Sequence, residues 1–176
     1  MKINKVIKDK VKVDYLLLKG TLDIDSNYFI KKIDEGIKKN NNRNFQTNVK
    51  GYMTSWDYFI KDANFIKILL PLFDYLDGLE NIKPYCLEGA WGLKEGFGNY
   101  TEVHDHAPNY FSGIIYLNDH SQTLLFPELN EEFKPRLNSF IIFSSFLSHK
   151  TIRNITNVYK YAISFNLNHS TFKKGN

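Results

Sequence analysis

Cysteine is nearly absent: Cys86 is the only one in 176 residues. A lone thiol excludes an internal disulfide framework and fits a reducing compartment, so the expected location is the cytoplasm. Arginine is almost as scarce, with Arg43, Arg136 and Arg153 the only ones among 23 basic residues. The net charge of +4 therefore rests on lysine, densest over 2–12 and 31–39. A nucleic-acid surface needs its cations gathered on one face with arginine or aromatic contacts. A solvated surface is the favoured reading, and no nucleic-acid partner is expected. Long apolar runs are missing too. The run over 140–147 is far too short to span a bilayer, so no membrane partner is expected. The early lysines are followed by only four apolar residues, 15–18, which is no signal peptide.

The chain is rich in apolar side chains. The hydrophobic share is 43% and the aromatic share 15%, enough for a packed core and too much for a disordered chain. The length fits one domain, divided as 1–84 for a helical N-terminal support, 85–168 for a β core and 169–176 for a tail. A first strand is expected over 13–20. Asp25-Ser26-Asn27 offers a helix N-cap, and Tyr28, Phe29, Ile30, Ile33 and Ile37 follow at helical spacing. Residues 40–46 read as a loop. Asp62 is expected to cap a second helix carrying Phe65, Ile66, Leu69, Leu70, Phe73 and Leu76. Pro71 should bend or interrupt it and Gly78 should end it.

Beyond Pro84, short runs of β-branched and aromatic residues alternate with turn residues. Strands are expected near 85–94, 101–106, 111–118, 122–126, 139–144, 149–153 and 159–167. Helices first and about seven strands after suggest a mainly β, α+β fold: a sheet pair or squashed barrel with helices on one outer face. Phe111, Ile114, Leu125 and Phe143 are its expected apolar walls.

His104-Asp105-His106 is the pattern that carries chemistry. On a strand, residues i and i+2 share a face, so both imidazoles can aim at one point. His149, just after the apolar run FIIFSSFL, offers a third from another strand. Neutral imidazoles suit zinc, iron, copper or nickel. Asp105 should face the other way, which makes it a support for the site, or an alternative ligand if the strand bulges. Glu102 shares the histidine face but lies further along.

The segments VHDHAPNYFSGIIYLND, PRLNSFIIFSSFLSHKT and YKYAISFN resemble the iron(II)- and 2-oxoglutarate-dependent dioxygenases. The segments also resemble an oxygenase family with a His-x-His, Ser-Gly, Tyr-Leu pattern, frequent in tailed phages and marine bacteria. It runs over about 91–168, and TNVKGYMTSW is similar more weakly. The resemblance implies a double-stranded β-helix, a jelly-roll or cupin-like barrel. It also implies Fe(II) and 2-oxoglutarate as cofactors, O2 and an unidentified substrate as partners, and hydroxylation with release of succinate and CO2. If the gene is phage-borne, the location is the host cytoplasm.

By the same resemblance His104 and His149 match the two metal histidines. Lys160 matches the basic residue that binds the far carboxylate of 2-oxoglutarate, though lysine lacks the bidentate fork of arginine. Tyr100, Tyr116 and Ser164 become candidate cosubstrate contacts. His106 stands where a carboxylate ligand is usual. Either three histidines hold the metal, or Asp105 or Glu102 takes that place. A three-histidine site also fits a zinc-hydroxide enzyme or a dioxygenase that uses no 2-oxoglutarate. A non-catalytic jelly-roll binding module is the alternative of a different class. Substrate selectivity is expected in 94–101, 118–122 and 126–135, which places His120 near substrate.

Overall fold

The computed structural model describes residues 13–40, 47–80 and 85–169. The N-terminal lysine cluster, most of the expected 40–46 loop and nearly all of the expected tail lie outside these residues. The chain runs β1 (Leu17–Thr21), α1 (Ser26–Lys39), β2 (Val49–Lys50), β3 (Tyr52–Met53), α2 (Ala63–Glu80), β4 (Tyr85–Glu95), β5 (Tyr100–Thr101), β6 (Phe111–Tyr116), β7 (Leu124–Phe126), β8 (Glu131–Phe133), β9 (Ser139–Ser144), β10 (Lys150–Thr151) and β11 (Lys160–His169). Six strands pair antiparallel in the order β1-β9-β6-β11-β4-β3. A second sheet has the order β10-β7-β8, and β2 pairs with β5.

Both helices begin where a carboxylate can satisfy a free backbone donor. Asp25 accepts from the Tyr28 amide at 3.2 Å, and Asp62 accepts from the Phe65 amide at 3.0 Å. Pro71 does not break α2, and Gly78 does not end it: the helix is continuous to Glu80. The reason is its buried stripe. Phe65, Leu69, Leu72 and Leu76 are in the core, while Pro71 and Gly78 lie on the exposed face, where a lost hydrogen bond opens onto water.

The two faces of the large sheet have different partners, and strand alternation assigns them. On one face Phe111 and Ile115 of β6, Phe140 and Ile142 of β9, and Ile163 and Phe165 of β11 pack with Phe29, Ile33, Phe65 and Leu69 of the helices. Gly92 makes room for α1: a Cβ there would collide with the Ile33 side chain. On the other face Trp91 and Leu93 of β4, Tyr116, Ile141, Phe143 and Ala162 pack with Leu124 and Phe126 of the second sheet. The Phe126 and Phe143 rings meet edge to face at 5.0 Å. The helices thus cover one face, and the other is left to enclose a pocket. Among the described residues no helix is long and apolar enough to cross a membrane.

Candidate metal centre

Residues 102–106 are not the continuous strand expected over 101–106. β5 ends at Thr101, and His104 joins His149 in an isolated antiparallel bridge. Two backbone bonds make it, His104 N–H to His149 O at 3.0 Å and His149 N–H to His104 O at 2.9 Å. The His106 amide donates to Ser145 O at 2.8 Å, so the extended path continues without a ladder. The two-residue repeat survives, and His104 and His106 aim at one place. His149 enters from just before β10, because that short strand starts at Lys150.

One ligand atom from each of His104, His106 and His149 can be chosen so that all lie within 4.8 Å of one another. His104 Nε2 and His106 Nε2 are 3.2 Å apart, close to the ~3 Å between two nitrogens each about 2.1 Å from a shared ion. The ring orientation is set from behind. Glu102 O is 2.8 Å from His104 Nδ1, and Leu147 O is 3.0 Å from His149 Nδ1. Each carbonyl takes an Nδ1–H and leaves the Nε2 lone pair for the cluster. The Asn166 side-chain amide lies 3.5 Å from His106 Nδ1 and bonds Ser112 Oγ at 2.8 Å. Ser112 Oγ is in turn 3.0 Å from Ser145 Oγ.

Burial keeps the rings uncharged. It pushes His149 down to about 3, with the His104 charge adding to the effect, and His106 down to about 4 for the same two reasons. His104 is lowered as well, chiefly by burial. A cluster of neutral, oriented nitrogen donors is what a borderline divalent metal needs. Neither carboxylate weighed as an alternative joins it. Asp105 is exposed, with Oδ1 accepting from the Ala107 amide at 3.0 Å, and Glu102 pairs with Lys50 at 3.4 Å.

The pocket behind the histidines lies between the two sheets. Lys160, Tyr116 and Ser164 line it together with the three histidines. Tyr100 does not: its ring lies 4.3 Å from the Arg153 guanidinium outside, and Thr101, the next residue, turns inward. The same one-residue alternation corrects two wall residues. Ile114 and Phe143 line the pocket, but Phe111 faces the helices and Leu124 lines it in place of Leu125. His120 is not at a mouth. It is buried, with Nδ1 accepting from the Gln122 amide at 2.9 Å and Nε2 3.1 Å from Val158 O.

Two further groups of the pocket are not among the residues that the sequence singles out. Glu95, at the end of β4, is 0% exposed and forms an ion pair with Lys160, itself 2% exposed; the two are directly opposite in strand register. Trp91 is buried beside His106 with ring centroids 6.0 Å apart, and its Nε1–H has no partner among the described residues. Trp56, half exposed, stands edge-on to Trp91 at 4.5 Å on the pocket rim.

The fold is shared with known oxygenases. The collagen prolyl hydroxylase of Paramecium bursaria Chlorella virus-1, solved with 2-oxoglutarate, superposes with a TM-score of 0.66 at 16% identity, covering 88% of this chain and 96% of that one. A prolyl-4-hydroxylase from Pseudomonas putida gives 0.63 at 11% identity, covering 88% and 92%. HygX from Streptomyces hygroscopicus, with nickel and 2-oxoglutarate bound, gives 0.59 at 13% identity, covering 91% and 85%. No protein-family profile matches the sequence, and no curated protein does.

Proposed function

We propose that this chain is an iron(II)- and 2-oxo acid-dependent oxygenase of the 2-oxoglutarate class, acting on an unidentified substrate. The observation that carries the reading is the convergence of His104, His106 and His149 with a buried lysine in one pocket, in a fold shared with such enzymes. In this reading the two sheets around the pocket form a double-stranded β-helix. His104, His106 and His149 would hold the iron through Nε2, without Asp105 or Glu102. When bound, the metal and the 2-oxo acid supply the oxidising chemistry, with O2 consumed and the oxo acid decarboxylated.

The chain's own groups bind and shield. Lys160 would receive the far end of the 2-oxo acid, with the Tyr116 hydroxyl and Ser164 as further donors. Burial raises the Tyr116 hydroxyl far above its ordinary value, Glu95 adding to the effect, so it stays a proton donor. Ile114, Leu124 and Phe143 exclude bulk water from the reacting centre. The substrate approaches past Trp56 and Trp91, whose free indole N–H is a ready donor.

Anaerobic addition of Fe(II) and saturating 2-oxoglutarate should give the weak visible absorption band of the chelate, and His149→Ala should abolish it. Absence of the band together with absence of succinate in every condition would overturn the assignment. A set of three neutral nitrogens also suits zinc. Full zinc occupancy in protein from iron-replete cells would favour a hydrolytic enzyme.

A further inference from the structure

Glu95 lies in the pocket where a cosubstrate cation would be expected to stand alone. Its pairing with Lys160 is built in. The residues face each other across β4 and β11, and the carboxylate is held from its other side. Glu95 Oε1 accepts from Thr101 Oγ1 at 3.3 Å and from Gln122 Nε2 at 3.4 Å. Gln122 is anchored in turn to Ile152 O at 2.9 Å. No other charge faces this end among the described residues. Tyr116 is protonated, and His120, the nearest further titratable group, accepts at Nδ1 and is therefore neutral. The far end of the pocket carries one positive and one negative charge.

The metal end shows the opposite departure. Oxygenases of this class usually hold iron with two histidines and one carboxylate. Here three neutral imidazoles leave the full double charge on a divalent ion. The carboxylate missing from the metal end is present, buried, at the lysine end. A 2-oxo acid with a single charge meets this distribution well, its 2-oxo carboxylate at the metal and an uncharged tail at a neutral pair. A second carboxylate on the tail would lie beside Glu95 in a dry environment, where like charges repel strongly.

We infer that Glu95 is a specificity-determining residue: it offsets Lys160 and cancels most of the advantage that a charged far end would give a 2-oxo acid. The inference rests on the oxygenase reading and narrows it. 2-Oxoglutarate still binds, without the advantage that a free cation would give its second carboxylate.

The test is calorimetric titration of the nickel-loaded full chain with 2-oxoglutarate and with 2-oxopentanoate, which has the same chain length and no far charge. In the wild type the diacid is expected to bind less than about tenfold more tightly than the monoacid; an advantage of about tenfold or more overturns the inference. Glu95→Gln, with Glu95→Met as the alternative should the first fail to fold, is expected to widen the diacid's advantage by at least about tenfold. An unchanged advantage overturns the inference and leaves the oxygenase reading intact. Binding of neither acid to nickel-loaded protein removes the oxygenase reading and this inference with it.

Discussion

His149 is the most enclosed of the three imidazoles, 3% exposed and packed edge-on against Phe143 at 4.7 Å. Its replacement by alanine removes one of the three clustered nitrogens at a position water cannot easily reach, so metal binding measured by titration is expected to be lost. Ser112→Ala acts at one remove. It frees the Asn166 amide that sits behind His106, and a loss of about 10–100-fold in metal affinity is expected, with the secondary structure unchanged by circular dichroism. The histidines were legible because period two puts i and i+2 on one side whether or not a ladder forms. Glu95 was not, because an acid in Lys94-Glu95-Gly96 reads as surface, and only the strand register sets it against Lys160. Tyr100, a candidate cosubstrate contact, lies outside the pocket for a related reason: aromatic character says nothing about which of two neighbours turns inward.

At the level of elements, the stability consequences follow from faces. Pro71 interrupts the hydrogen bonding of α2 on its exposed side, so Pro71→Ala restores a backbone donor without touching the core. An interior proline costs a helix about 3 kcal/mol relative to alanine, partly offset by the stiffer unfolded chain. A rise of about 1–2 kcal/mol in urea denaturation is expected. Gly113→Ala should do the reverse. A Cβ there would collide with the Phe165 ring, and overpacking of this kind typically costs about 1–3 kcal/mol. The helices and long strands were legible from caps and alternating apolar residues. β2, β3 and β8 were not: two or three residues carry no period, and their pairing is decided by partners distant in sequence.

For the whole molecule, the buried neutral imidazoles tie stability to pH. Above about pH 6.5 they are uncharged in the folded and unfolded chain alike, so unfolding exchanges no protons with them. Below that, the unfolded chain takes up protons that folded His149 and His106 resist until about 3 and 4. The metal-free protein is therefore expected to lose stability as pH falls from 6.5 toward 3, read as a falling urea midpoint, and His149→Phe should flatten that slope. The division of the large sheet, helices on one face and pocket on the other, keeps this chemistry apart from the larger core.

The mutual backbone bonds between His104 and His149 have a consequence for kinetics. Two segments that an ion would otherwise have to gather are already fastened by the peptide chain. Capture of the ion then needs only small ring adjustments, so amide resonances far from these segments should keep their positions when metal is added, and uptake should be fast and single-phased.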